Sequence, residues 1–421
     1  MSAAHPHHQH HTRFTSPFAP LELTDADNKT LEQLSRVIVS NYVAQYEEFR
    51  LQGGADEGVW KPVKQRNNVR VFVRRKNQGA GDSVAALKRT LDRFSGSGAV
   101  QPSDLPMMLT VGSIAGTLDD VMYGLMCPTV TSMRVKTAYV EDRFIDTAVL
   151  HTIAAPSQED PFQSLVIKWS QAQQNAILRT VTSYRDFVYM ERTGIAYTAS
   201  GERLGFHLLH SVNFPQTQEL PPFERGNYSI CGVFRDNPKK NEVEMLVRSI
   251  VDPRGSAPRP LVIIAAADMF ISVANYIECS HRKKLMWRLR LRRKTSGAQW
   301  RGSKRRSSSA DELGPCSICT RTPSRIMNAL TDSRKHKCAL CAKCICSSCR
   351  IKKTLNHVPS ATGKLWQREF AFCSACYLEV CQSDAFATAM QEFVLSDAIS
   401  EGSIEESFSS REDFNSWVCP E

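Results

Sequence analysis

The chain has 421 residues, of which 42% are hydrophobic and 23% charged, and its net charge is +10. This length exceeds one typical domain, and the composition excludes a chain that is disordered or collagen-like throughout. The N-terminal stretch MSAAHPHHQHHTRF lacks the apolar core of a secretory signal, and the run LVIIAAADMF is shorter than the roughly 18 residues that span a bilayer. A soluble intracellular protein is therefore expected.

The positive charge is concentrated in one region. Twelve lysines and arginines, and no acidic residue, lie between Arg282 and Arg306, whereas residues 377–421 carry ten acidic residues and the single Arg411. A local excess of this kind predicts a local anionic partner, such as phosphate groups on a membrane or nucleic acid, or an acidic protein segment.

The N-terminal part of the chain changes character near Thr24. Residues 1–20 contain five histidines among proline, serine and threonine residues, and disorder is expected there. From Leu31 onward, apolar residues recur at spacings of three and four, which predicts an amphipathic helix ending near Gln52. Thr24 and Asp27 have the spacing of a capping box at its start.

Eight short segments rich in β-branched and aromatic residues follow, as is typical of strands. They are residues 69–75, 107–114, 148–153, 164–170, 186–193, 204–212, 228–234 and 242–251. Thr117 and Asp120 predict the start of a short helix after the second segment. After Pro258 a helical pattern of about 30 residues begins, about 45 Å long. This order predicts an α+β fold in which a curved antiparallel sheet wraps the last helix.

Residues 20–290 resemble the START family of lipid-binding domains. The resemblance is carried by the segments WKPVKQRNNVRVF, GTLDDVMYGL, DTAVLHTI, SYRDFVYMERTG, GFHLLHSVNFP and VEMLVRSIVDPRGSAPRPL and by the closing helix. It implies a helix-grip fold whose sheet and C-terminal helix enclose an apolar tunnel for one lipid. A solid interior is the alternative, because periodicity does not distinguish a lined tunnel from a core. Four polar residues lie on one predicted strand of that region: Arg185, Asp186, Glu191 and Arg192. The sequence does not determine which face of the sheet each side chain points to.

Eleven of the fourteen cysteines lie in the last quarter of the chain. Eight of them form four CxxC pairs: Cys316 with Cys319, Cys338 with Cys341, Cys346 with Cys349, and Cys373 with Cys376. Two residues between ligands let a tight turn aim both thiolates at one ion, and two such turns complete a tetrahedral zinc site. In an intracellular chain this clustering predicts zinc rather than disulfides, with two Zn²⁺ per chain. Metal is expected to supply most of the stability of this segment, on the order of 10 kcal/mol per site.

The spacings between successive pairs, with 18, 4 and 23 residues, resemble those of the FYVE zinc finger. The resemblance implies cross-bracing, in which the first and third pairs bind one zinc and the second and fourth pairs bind the other. Within residues 313–381, Cys344 and Cys381 are then left over, and either could compete for a ligand role. A RING finger, the alternative, places a histidine among its middle ligands, where this sequence has cysteines.

FYVE fingers bind phosphatidylinositol 3-phosphate through an R(R/K)HHCR motif, and this chain has RKHKCA. Arg334, Lys335 and His336 match the motif, while Lys337 replaces the second histidine and Ala339 the last arginine. Other departures are the missing WxxD motif, Ala371 in place of an arginine, and Asp332 in the membrane-inserting turn. The resemblance therefore implies a phosphate-binding surface of reduced specificity at residues 334–337, with a merely solvated surface as the alternative.

These patterns divide the chain into five segments. They are a histidine-rich N-terminus (1–20), a START-like domain (21–293), a basic serine-rich linker (294–312), a FYVE-type finger (313–381) and an acidic tail (382–421). No nucleophile elbow, phosphate loop or HExxH motif occurs, so the predicted function is non-enzymatic lipid binding or transfer.

The predicted partners are a lipid in the cavity and an anionic or phosphoinositide membrane. Four arginines of the basic run are expected to add to membrane attraction: Arg288, Arg290, Arg292 and Arg293. The alternatives are a protein-interaction scaffold and a nucleic-acid-binding protein that uses RLRLRRK and SKRR. The expected location is the cytoplasm at a membrane such as the endosome, or the nucleus in the nucleic-acid alternative.

Overall fold

The computed structural model describes residues 16–75, 105–173, 183–255, 257–300, 314–322, 336–358 and 364–400, without the side chains of 293–300 and 394–400. The strands are β1 (Trp60–Arg66), β2 (Val69–Arg74), β3 (Met107–Ala115), β4 (Phe144–Ala154), β5 (Ser164–Ala172), β6 (Tyr184–Tyr197), β7 (Arg203–Ser211), β8 (Phe223–Arg225), β9 (Asn227–Asn237), β10 (Glu242–Asp252), β11 (Ile351–His357) and β12 (Trp366–Phe372). The helices are α1 (Asp25–Leu51), α2 (Leu118–Leu125), α3 (Val130–Val140), α4 (Arg259–Phe270), α5 (Tyr276–Trp300), α6 (Ser374–Cys381) and α7 (Ala385–Ser400). A 3₁₀ turn (Ile271–Asn275) joins α4 to α5.

One large sheet organises the first three hundred residues. Its order is β1-β2-β3-β10-β9-β7-β6-β5-β4, all antiparallel, with β8 paired in parallel to β6. Strand β10 returns to pair with β3, which joins the N-terminal hairpin to the later strands. The predicted strands are all present, and the α+β class is confirmed.

Both faces of this sheet are covered by helices. On one face α1 buries Ile38, Tyr42 and Tyr46. On the other face α2, α4 and α5 bury an apolar cluster that includes Val121 and Phe270. Because both faces of the sheet are buried, the strands are nearly continuous apolar segments and do not alternate between apolar and polar residues. The α4–α5 stretch is the helix that the sheet grips.

Two helix starts were predicted correctly. The Thr24 side chain accepts a hydrogen bond from the backbone of Asp27, and the capping box is complete. The Thr117 side chain likewise accepts from the backbone of Asp120. Helix α3 has a capping box of its own, Thr129 with Ser132, that the sequence reading overlooked.

The gripped helix has the length and composition of a membrane-crossing segment. Residues 259–292 reach a mean hydropathy of 1.7 in an 18-residue window, half of which is buried inside the protein. This apolar character suits a helix wrapped by a sheet. The helix runs to Trp300, beyond the predicted boundary at residue 293.

Two aromatic residues pack against the core in segments where the sequence predicted a disordered N-terminus and an acidic tail. Phe18, in the stretch expected to be disordered, packs edge-on against Trp169 with ring centroids 6.4 Å apart. Helix α7 occupies the start of the predicted acidic tail, and Phe386 packs edge-on against Phe162 at 5.4 Å. At both places the burial of an aromatic ring outweighs the overall composition of the segment. Residues 1–15 and 401–421 lie outside the described residues.

Candidate functional site

The eight paired cysteines form two tetrads. One consists of Cys316, Cys319, Cys346 and Cys349, the other of Cys338, Cys341, Cys373 and Cys376, and the sulfur atoms of each lie within 4.8 Å of one another. Two of these Sγ–Sγ distances are 3.7 Å and 3.9 Å. Tetrahedral zinc with 2.3 Å bonds separates its sulfur ligands by about 3.8 Å. The tetrads have the composition that cross-bracing implies and fit two zinc ions.

Each tetrad is built around a tight turn. Thr320 and Ala342, which follow the second cysteine of a pair, have φ angles of 58° and 61°. The N–H groups of Cys346 and Cys373 donate to the sulfurs of Cys316 and Cys338, both at 3.3 Å. Backbone N–H groups, chiefly that of Cys319, lower the pKa of Cys316 to about 6. This favours the thiolate, which is the form that binds metal.

The cysteine-rich domain packs against α5. It comprises the described residues between 314 and 381 and is also called the finger. Leu285, Met286 and Leu289 of this helix share an apolar cluster with finger residues Ile345 and Phe372. In addition, the backbone N–H of Asn356 donates to the Tyr139 hydroxyl of α3 at 2.5 Å. The domain therefore has an apolar support besides its metal ligands, which the sequence reading did not foresee.

Three arginines predicted to face a membrane make contacts within the chain. Arg292 donates to the Ala339 carbonyl at 2.6 Å, and Arg288 pairs with Glu379 at 3.0 Å. Arg290 lies 3.1 Å from Nδ1 of His357, whose pKa is lowered to about 3, first by burial and then by this arginine. The side chain of Arg293 lies outside the described part of the chain. Their attraction to membranes stays a prediction.

The strand predicted to bind a phosphoinositide is partly covered. His336 is 6% exposed and Lys337 is half-buried, while Arg334 and Lys335 lie outside the described residues. Ala339 donates its N–H to the carbonyl of Ala371 at 2.8 Å. Ala339 and Ala371, the two positions at which the FYVE motif has arginines, thus meet through their backbones, next to α5. Phosphoinositide binding here stays a prediction.

A second candidate site lies inside the helix-grip domain, between the sheet and its gripped helix. Lys168 of β5 pairs with Glu191 of β6 and donates to the Cys127 carbonyl at 2.6 Å. Nε2 of His207, on β7, lies 2.6 Å from the same glutamate. All four residues are at most 5% exposed. Burial lowers the pKa of Lys168 to about 8 and, with the two neighbouring lysines, holds that of His207 well below its usual value.

A second buried ion pair lies close to the first. Nζ of Lys136 is 2.6 Å from Oδ2 of Asp142, and burial opposes the lysine's charge while Asp142 holds its pKa well above the usual value. Glu141 and Arg143 have φ angles of 63° and 69°, so the chain turns sharply around Asp142. The other oxygen of Asp142, Oδ1, is buried and has no hydrogen-bond partner within the described residues. We call these two pairs with His207 and Cys127 the interior charge cluster.

Of the four polar residues singled out on β6, one reaches this interior. Glu191 belongs to the cluster, whereas Arg192 points to the opposite face and donates to Ser35 of α1 at 2.7 Å. Asp186 pairs with Arg225 at 2.9 Å, and Arg185 donates to the Pro253 carbonyl at 2.6 Å. The sequence reading missed Lys168, Lys136, Asp142, His207 and Cys127. For Lys168 a usable signal was its charge inside the apolar segment LVIKWS.

No family model and no curated protein matches the chain. Among solved structures it is similar to human StAR-related lipid transfer protein 5, with 16% identity, 58% of this chain and 97% of that chain covered, and a TM-score of 0.38. It is similar to human STARD10 with 12% identity, 62% of this chain and 84% of that chain covered, and a TM-score of 0.33. It is similar to the human StarD13 (DLC2) lipid transfer and protein localization domain with 11% identity, 56% of this chain and 95% of that chain covered, and a TM-score of 0.34. At these scores the likeness carries no conclusion about a ligand, and the helix-grip assignment rests on the chain's own sheet order and gripped helix.

Proposed function

We propose that the chain is a non-enzymatic lipid carrier whose helix-grip domain takes one lipid between the sheet and the gripped helix. The interior charge cluster is the observation that carries this proposal. Two ion pairs in an apolar interior are costly, and replacing such pairs by apolar residues often stabilises a protein. Within the described residues, one buried oxygen of Asp142 also has no hydrogen-bond partner, at a cost of about 1–3 kcal/mol. An amphiphile whose polar end reaches this cluster offsets both costs.

The residues of the interior charge cluster have different roles in binding such a ligand. Oδ1 of Asp142 accepts a hydrogen bond from a ligand hydroxyl, and the ammonium group of Lys168 donates to an ester or phosphate oxygen. Glu191 and the Cys127 carbonyl hold that ammonium group in place. The surrounding apolar cluster receives the hydrocarbon part of the ligand.

The cysteine-rich domain acts as a FYVE-like module for peripheral association with anionic or phosphoinositide membranes. Its two tetrads hold one Zn²⁺ each, and the metal, when bound, fixes the turns that carry the ligands. The basic run from Arg282 to Arg306 supports attraction to anionic lipids, by about 1 kcal/mol for each cation near the surface. The chain works in the cytoplasm, at membranes such as the endosome.

Native mass spectrometry of the full chain tests the carrier and the metal together. Gentle conditions should show two zinc ions and one retained lipid, and denaturing conditions should release both. A fluorescent sterol or phospholipid should bind with one-to-one saturation. No retained lipid and no uptake across a lipid panel would refute the carrier. Fewer than two zinc ions by elemental analysis would refute the metal sites.

A second candidate function is protein interaction through the finger. It is favoured by the contacts of Arg288, Arg290 and Arg292, since these residues show that the finger already binds the basic helix α5 of its own chain. Vesicle co-sedimentation beside a nucleic-acid shift assay separates the possibilities. Sedimentation with anionic vesicles supports the membrane role, a shift supports nucleic acid, and neither supports a protein partner.

A further inference from the structure

Helix α7 follows the finger in the chain but packs on the helix-grip domain. Its first residue, Ala385, is a buried member of the apolar cluster between the sheet and the gripped helix, and Phe386 and Ala389 pack against that cluster. Phe386 meets Phe162 edge-on, with ring centroids 5.4 Å apart. The proposed function places the hydrocarbon part of a lipid in this same cluster. Helix α7 therefore supplies part of the wall around that lipid.

Phe162 links this wall to the interior charge cluster. Its carbonyl accepts a hydrogen bond from Oγ1 of Thr193 at 2.8 Å, and both residues are at most 1% exposed. Thr193 lies two residues after Glu191 on β6, and residues at this spacing point to the same face of a sheet. Two residues of a strand span about 7 Å. Phe162 and Thr193 therefore stand between α7 and the polar end of the proposed lipid site.

A second set of contacts leads to the same place. Sδ of Met126 lies 3.0 Å from Oγ1 of Thr193. Met126 directly precedes Cys127, whose carbonyl accepts a hydrogen bond from Lys168 at 2.6 Å. Both members of the Lys168–Glu191 pair are thus connected through Thr193 to the position that Phe386 covers.

The finger and α5 hold α7 in place. Nζ of Lys284, on α5, donates to the carbonyl of Ser383 at 2.5 Å, two residues before α7 begins. Nε1 of Trp287 donates to Oε1 of Gln391 at 3.3 Å. On the side of the finger, the tetrad ligand Cys376 lies on α6, and three residues separate α6 from α7. The position of α7 is therefore coupled to the metal-binding fold of the finger.

Helix α7 can leave this position at a lower cost than the sheet can open. Strands β5, β6 and β7 are each hydrogen-bonded to a neighbour on both sides, whereas a helix keeps its backbone hydrogen bonds when it moves as a unit. Helix α7 has 16 residues, and an isolated helix near this length is marginally stable in water. Its order depends on side-chain contacts with α2 and α5. Elements held in this way open locally before the core does.

We propose that α7 is the movable wall of the lipid site: a lipid enters and leaves where Phe386 covers Phe162, and the finger holds α7 over that entrance. The inference rests on the proposed carrier function and adds the route of the lipid and its control. A lipid that enters here brings its polar end past Thr193 to Lys168 and Glu191. The finger thereby controls the rate of lipid exchange in the domain beside it.

The test measures the rates of lipid uptake and release by the full, zinc-loaded chain. The probe is the fluorescent sterol or phospholipid that the chain takes up, and unlabelled phosphatidylcholine vesicles accept it on release. Phe386→Ser should raise both rates about tenfold, equivalent to about 1.4 kcal/mol, because it removes an aromatic pair that closes the wall. A residue that merely contacts the bound lipid would change chiefly the release rate.

Phe18→Ser is the matched control. Phe18 packs edge-on against Trp169 on the α1 side of the sheet, with ring centroids 6.4 Å apart. The same substitution there should leave both rates unchanged. Gln391→Met, at an exposed position, removes the acceptor for Trp287 and should speed both uptake and release. If thermal unfolding shows that Phe386→Ser does not fold, Gln391→Met decides the question.

A chelator separates the role of the finger from that of α7. Loss of metal should speed exchange in the unmodified chain and add little in Phe386→Ser, because both changes free the same helix. Effects that multiply would overturn the inference. Unchanged rates in the α7 variants, or equal acceleration by Phe18→Ser, would also overturn it and leave the carrier function intact. No uptake of either probe by the unmodified chain would refute the carrier function itself.

Discussion

Lys168 keeps its charge in an apolar interior because three groups surround its ammonium group. The Cys127 carbonyl accepts its hydrogen bond at 2.6 Å, Glu191 neutralises it, and the Cys127 thiol lies 3.7 Å away. Removal of one member of such a pair leaves a buried charge without compensation, whereas an apolar pair of similar volume needs none. Stability and ligand binding can therefore be separated at this position.

Glu191→Leu should destabilise the helix-grip domain by about 3–5 kcal/mol, measured by urea unfolding, because Lys168 is left unpaired. Lys168→Met/Glu191→Leu should regain most of that loss. The double variant should nevertheless take up less fluorescent lipid, since the polar end of the ligand has lost its partners. Normal uptake by a stable double variant would show that the lipid does not use the cluster.

His210 predicts a dependence of stability on pH. It lies on the α1 side of β7, with Nδ1 3.0 Å from the Ser229 hydroxyl, and burial lowers its pKa to about 4. An unfolded histidine has a pKa of about 6.5. Between these values the unfolded chain binds a proton that the folded chain does not, so stability falls as pH falls through this window.

The loss should be about 1.4 kcal/mol for each pH unit, or roughly 3 kcal/mol between pH 6.5 and pH 4. Urea unfolding of the full chain at several pH values gives the slope. His210→Gln shares all the other titrating groups, metal ligands included, so the difference between the two slopes isolates His210. Parallel slopes would contradict the prediction.

At the scale of elements, α2 crosses α5 in close backbone contact. A Cβ atom on Gly124 would lie 2.0 Å from the carbonyl oxygen of Tyr276, and the Cys279 thiol donates to the Gly124 carbonyl at 3.2 Å. Gly124→Ala must push the helices apart and should cost about 3 kcal/mol, the upper end for overpacking. Thermal unfolding measures this cost. Among the described residues no atom lies within 4 Å of the new Cβ of Gly314→Ala, which should leave the midpoint unchanged.

Local chemistry let the sequence predict some elements and not others. The cap at Thr24, the apolar strands and the CxxC spacing each depend on neighbouring residues, so they could be read directly. The acids of residues 382–421 predict an acidic tail, yet the apolar residues of α7, such as Phe386, pack against the core. The face of Glu191 could not be read, because it depends on the register of β5, β6 and β7. The intramolecular partners of Arg290 and Arg292 likewise depend on tertiary packing.

At the scale of the whole molecule, α5 joins the two domains. Lys284 is 1% exposed, pairs with Asp120 of α2 at 2.7 Å and donates to the Ser383 carbonyl at 2.5 Å. Lys353 of β11 pairs with Glu278 at 2.8 Å. One helix therefore contacts the helix-grip domain on one side and the finger on the other. Metal binding in the finger should consequently affect the local stability of α5.

Removal of zinc by a chelator should loosen the finger and uncover the apolar residues of α5 that it protects. Hydrogen exchange should quicken over residues 280–292 and over 385–393, while β6 and β7 stay protected, because their pairing needs no contact with the finger. Cys344→Ser, which lies outside both tetrads, should keep two zinc ions and the protection of α5. Unchanged protection of 280–292 after complete loss of zinc would mean that the apolar cluster around Leu285 holds the finger on its own. In that case the cluster, rather than the metal, would join the two domains.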